Sequence, residues 1–182
     1  MLNTEDFEQA LYSDAKRAFP EIINKYGKDI YVIGFYHFGG FDGVMPMFNT
    51  LSALREVQVS FTEEDAYYAT YTAKWNPSEY PSLEEYSKYF ENSTTEIQKL
   101  CEDCEEELYT SKSDLQEDWQ QTLHAMERVL IKLDNEGIFS AQLDRTKITL
   151  SISTYDESEE EQFNRIKRLN PDSVLKNIRE DF

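Results

Sequence analysis

Apolar residues recur every three or four positions at the start of the chain, as Phe7, Leu11, Ala15, Ala18, Ile22 and Tyr26, behind Asn3-Thr4 and ahead of Gly27. That spacing puts them on one helix face, with a capping residue before it and a residue free to turn left-handed after it. It predicts an amphipathic helix over 4–26. The period then changes. Residues 30–38, IYVIGFYHF, are nearly all β-branched or aromatic and too few for a surface helix, which predicts a strand buried on both faces. Gly39, Gly40 and Gly43 break that run and turn the chain into VMPMFNT at 44–50, so a hairpin is expected. Pro46 cannot donate to a ladder, which assigns the second strand to an edge or a bulge. A short helix is expected at 51–56. The tyrosines and threonines of DAYYATYTAKW, closed by Asn76-Pro77, predict a third strand over 66–74.

In the second half, Ser82 with Glu85 reads as a capping box for a helix over 83–108 that carries Tyr86, Phe90, Ile97, Leu100, Cys101 and Cys104 at helical spacing. Ser113 with Gln116 reads as a second box, opening a helix over 114–136 that ends at Gly137. In TKITLSIST, at 146–154, Ile148, Leu150 and Ile152 alternate with Thr149, Ser151 and Ser153, the pattern of a strand with one wet face. DESEEE at 156–161 leads into a short helix, and Asn170-Pro171 restarts a terminal one. The expected fold is a single α+β domain over 1–182, with a mainly antiparallel, possibly mixed, sheet of about four or more strands packed against several helices.

Charge changes the functional picture more than the fold. With 36 acidic and 18 basic side chains the chain carries −18, which disfavours nucleic acid and anionic membrane surfaces as partners. No apolar run reaches the length of a membrane span, the N-terminus lacks the basic-then-apolar order of a signal peptide, and two cysteines are too few for a disulfide framework. A cytoplasmic protein is expected. The acids concentrate at 102–118, eight carboxylates against one lysine, and again at 156–161. Clustered acids either solvate a helix face or steer a basic protein. In the second case Glu102, Asp103, Glu105, Glu106, Glu107, Asp156 and Glu157 are the binding residues, and Trp75 and Tyr80 from the aromatic-rich stretch are candidates to line a groove or interface.

Signals for chemistry are weak. Cys101-x-x-Cys104 lacks the further ligands that zinc requires, and its acidic neighbours disfavour the thiolate. His37 and His124 fall on separate predicted elements. The glycines around Phe41 have neither the order nor the lysine of a phosphate loop. No cofactor, metal or catalytic residue is expected, and a non-catalytic binding protein is favoured. The alternative is an enzyme or small-molecule binder with a pocket near His37, Asp42, Trp75 and Tyr80.

Taken in order, IYVIGFYHF, FNT at 48–50, KWNPSEY at 74–80, LDNEGIF at 133–139 and IKRLNPDSV at 166–174 resemble an uncharacterised bacterial family, the domain of unknown function numbered 4303. Lys167 to Pro171 is the most specific element of that likeness. The acidic stretch at 91–118 departs most from the family pattern. The family lends no catalytic residue. Small acidic bacterial proteins of this kind are often encoded beside secreted toxins as their immunity partners, so the resemblance implies an immunity or antitoxin-like inhibitor of a basic protein.

Overall fold

The structure, a computed structural model, describes residues 3–38, 42–59, 71–81, 84–106, 112–155 and 157–182, with 101–106 and 112–118 described by their backbone alone. Helix α1 (Glu5–Tyr26) forms where the apolar stripe predicts it, with acids in its first turn and Lys25 in its last, each complementing the helix dipole. Strand β1 (Ile30–His37) is buried along its whole length, and β2 (Val44–Thr50) returns beside it with Pro46 on the sheet edge. Thr50 then caps α2 (Leu51–Gln58), accepting from the Ala53 amide at 3.2 Å.

The sheet runs β2-β1-β3, with β1 antiparallel to β2 and parallel to β3 (Thr149–Thr154). The sheet is mixed, which the expectation allowed, and has three strands among the described residues where about four or more, mainly antiparallel, were expected. Residues 71–75, expected to finish a third strand, are helical and include α3 (Ala73–Trp75), while 60–70 lie outside the described residues. Strand propensity measures how side chains fit a half-buried pleated surface, and tyrosines that pack over a sheet satisfy it without joining one. The parallel pairing of β3 follows from the crossover: α4 (Glu91–Glu106) and α5 (Lys112–Asn135) carry the chain back across one face before β3 begins.

Ile33, Phe35, Val44, Phe48, Leu150 and Ile152 face the core shared with α1, α4 and α5. Val32, Tyr36, Met45 and Met47 face a second cluster holding Leu54 of α2, Trp75, Ile166 of α6 (Glu159–Leu169) and Ile178 of α7 (Asp172–Ile178). A register shift between Ile30 and Val32 lets Ile30 and Ile33 share one face. The expected wet face of β3 is not wet: Thr149, Ser151 and Ser153 are buried because α6 covers them.

Helix α4 begins at Glu91, after a 3-10 turn at Ser87–Phe90, rather than near residue 83. Ser82 lies outside the described residues, and the Glu85 carboxylate pairs with Lys25 and Tyr26 instead of capping a helix. The anchor at the start of α4 is Asp14 of α1, fully buried. It accepts from the Ser93 amide at 2.9 Å, the Ser93 hydroxyl at 2.6 Å and Asn92 Nδ2 at 3.2 Å. A carboxylate there satisfies open amides and complements the positive helix end. After α5, Gly137 takes φ +79°, the left-handed stop that the sequence predicts.

Candidate functional site

The sequence candidates fall in different places. Glu102, Asp103, Glu105 and Glu106 lie in the last turns of α4, where only the backbone is described, and Glu107 and Asp156 lie outside the described residues. Trp75 and Tyr80 are 1% and 4% exposed, so they are not the accessible aromatics the composition suggested. The hydroxyls of Tyr80 and Tyr31 both donate to the Lys74 carbonyl, at 2.7 and 2.8 Å, fixing the α3 segment on the sheet. Tyr80 serves packing. His37 is fully buried with its ring 4.3 Å from that of Trp119, Asp42 sits exposed in the turn after β1, and His124 is exposed on α5. Of His37, Asp42, Trp75 and Tyr80, the residues of the expected pocket, only Trp75 lines a cleft beside α3.

That cleft, of about 360 Å³, opens where β1 and β3 end side by side, between the 71–78 segment and the start of α6. The carboxyl ends of adjacent parallel strands are the usual place for ligands in such sheets, because the chain leaves them in diverging loops. Tyr36, Tyr71 and Trp75 supply ring surface, Ser153 and Glu157 supply polar groups, and Tyr155, 72% exposed, stands at the rim. Gln162 braces the walls: Tyr71 donates to its Oε1 at 2.9 Å, and its Nε2 donates to the Trp75 carbonyl at 3.1 Å and to Ser153 Oγ at 3.2 Å. The Trp75 indole N–H, buried, has no hydrogen-bond partner among the described residues.

Glu157 is the charged member that the sequence singled out. It accepts from Arg165 at 2.6 Å, the Thr154 amide at 2.9 Å and Ser153 Oγ at 3.1 Å. Burial pushes its carboxyl above the usual range, against the lowering pull of Arg165 and these donors. Arg165 also donates to the Ile152 carbonyl at 2.8 Å and lies 4.0 Å from Glu127, which Arg168 pairs in turn. Two acids and two bases therefore close a balanced network behind the cleft, and such buried pairs fix geometry more than they add stability. Tyr71 is pushed up to about 12 by burial and by Glu157, so its hydroxyl stays protonated and keeps its hydrogen bond to Gln162. Burial, helped by the charge of Arg165, pushes His37 down to about 3, which keeps that ring neutral.

Tyr36, Tyr71, Tyr155 and Ser153 were not singled out as site residues. The signal that could have found them is positional: Tyr36 and Ser153 are paired residues at the ends of two strands, but only the parallel register brings them together. Among the described residues no group of three or more His, Cys, Asp or Glu is placed to hold a metal ion, and no helix is long and apolar enough to cross a membrane. Neither curated proteins nor solved structures yield a match to this chain. A family model does: the one described as Domain of unknown function (DUF4303) matches residues 11–171, nearly the whole chain, and the protein belongs to that family.

Proposed function

We propose that the protein is a non-catalytic binding protein for a basic protein partner, of the immunity or antitoxin-like kind, and that its strand-end cleft takes up a cationic side chain of that partner. The observation that carries this reading is the cleft's composition in a chain of net charge −18: Glu157 set among Tyr36, Tyr71 and Trp75. Aromatic faces attract an ammonium or guanidinium through their quadrupole, most strongly where water is excluded. Glu157, although paired with Arg165, and Glu159 add negative charge to the same lining. The acids at 102–107 would act at longer range, drawing the partner in.

The chain has only two tryptophans, so a Trp119→Phe variant leaves Trp75 as the sole reporter of the cleft. Its fluorescence is titrated with a short peptide carrying one central arginine and with the same peptide carrying citrulline, the neutral isostere. A saturable response to the arginine peptide alone, lost in Tyr155→Ala with Tyr71→Phe, is expected. Equal responses to both peptides, or none, refute the reading. The cleft volume also suits a free organic cation, and a response to arginine amide as strong as to the peptide would favour the small-molecule alternative.

A further inference from the structure

Acids outnumber bases two to one in this chain, and the described cations are mostly taken up by them: ten lie within 4.0 Å of a carboxylate. Lys167, Lys176 and Arg179 make no ion pair among the described residues, yet all three line one groove of about 380 Å³ between α6 and α7. Phe163 and Leu175 form its apolar floor, and Asp172 is the single acid among its lining residues. The arrangement is built by helical spacing. Asp172, Leu175 and Lys176 follow one another at i, i+3 and i+4 on the outward face of α7, with Arg179 at its C-cap, while Val174 and Ile178 are buried on the inward face. On α6, Phe163 and Lys167 are one turn apart, with the Lys167 ammonium 5.0 Å from the Phe163 ring centre.

Solubility does not require this patch, because the surplus acids already supply it. A rim of unpaired cations around an apolar floor is complementary to carboxylates flanking an apolar side chain, and Arg179 brings the planar fork that suits a carboxylate. The overall −18 repels polyanions such as nucleic acid, which limits the occupant to something short. We propose that the α6–α7 groove is a docking site for an acidic peptide segment that presents an apolar side chain between its carboxylates. This site is independent of the cleft at the strand ends.

The probe is a fluorescein-labelled peptide, Glu-Asp-Leu-Glu-Asp-Leu-Glu, followed by anisotropy against the full chain. Lys167→Glu, Lys176→Glu and Arg179→Glu are combined in one variant. A second variant combines Lys28→Glu, Arg55→Glu and Lys88→Glu, three exposed cations elsewhere that also make no ion pair among the described residues, so the net charge changes equally. Circular dichroism melts check that both variants fold. Saturable binding that weakens with salt, falls by about tenfold or more in the groove variant and stays near the parent in the matched variant is expected. The proposal is overturned by no binding to the parent chain, by equal losses in the two variants, by an undiminished affinity when both leucines of the peptide become glycine, or by vesicles of anionic phospholipid binding the groove while the peptide does not.

Discussion

At Gly34 the space for a side chain is missing: a Cβ built there would stand 1.8 Å from the Ser151 carbonyl oxygen, in the parallel ladder that joins β1 to β3. Backbone atoms held by that ladder cannot step aside cheaply. Gly34→Ala is therefore expected to destabilise the protein by about 1–3 kcal/mol, the range for overfilling a packed interior, as read from urea denaturation. An unchanged midpoint would mean that the two strands separate more readily than their register implies. Three positions on, His37 gives a pH test. Its folded value, about 3, lies below the 6.5 of a free imidazole. As pH falls through the unfolded value the unfolded chain takes a proton that the folded one refuses, so stability is full above that value and declines down to the folded one, by up to about 1.4 kcal/mol per pH unit. Glu157 acts with the opposite sign: its raised folded value means stability declines as pH rises above the ordinary 4.5. His37→Gln should thus flatten the fall in stability between about pH 6.5 and pH 5 relative to the parent. Parallel curves for the two proteins would show that the folded state protonates His37 normally.

Among the elements, the end of α6 has a task beyond covering the sheet. Asn170 accepts from the Leu150 amide at 2.8 Å and donates from Nδ2 to the Leu150 carbonyl at 2.7 Å and the Ile166 carbonyl at 2.8 Å, so one amide side chain closes both open groups of an edge strand. Asn170→Ala leaves them unpaired and is expected to cost about 1–3 kcal/mol, with faster hydrogen exchange at the Leu150 amide. Removing 166–182 also takes away Ile166, Leu169, Val174 and Ile178, all buried, and should abolish a cooperative melt. A truncated chain that melts as the parent does would make the tail an appendage. Where one element decided its own fate, the sequence was legible: the stripe of α1, the β-branched and aromatic run of β1, the edge strand that Pro46 permits, and the stop at Gly137. The failures were tertiary. Thr149, Ser151 and Ser153 looked solvent-facing because alternation reports polarity, and no local signal announces a covering helix with Gln162 and Arg165 on its underside. The parallel sense of β3, the helical 71–75 and the Asp14 anchor of α4 depend on partners tens of residues away. The cleft shares that origin, which is why Glu157 and Trp75 were visible and Tyr36 and Tyr71 were not.

For the whole molecule the governing quantity is the field of −18 charges, and its effect belongs to the approach of a partner more than to the bound complex. Acids scattered evenly would keep the protein soluble; their crowding into 102–107, of which 102–106 end α4, concentrates potential on one stretch of chain. Replacing Glu102, Asp103, Glu105, Glu106 and Glu107 by Gln or Asn removes five charges and takes the net value from −18 to −13. Exposed charges are screened over about 10 Å at 0.1 M salt, so the substitution should act strongly in dilute salt and vanish in concentrated salt. The measurement is stopped-flow association of the arginine peptide, extended with flanking lysines, across a sodium chloride series for both proteins. The neutralised form should associate several-fold more slowly at low salt, with the curves converging at high salt and the dissociation rate unchanged, because the residues proposed to hold the cation line the cleft. A slower association with a faster dissociation would place these acids in the contact itself. Equal association rates at low salt would reduce the run to a solvated helix end, leaving the cleft as the sole source of affinity.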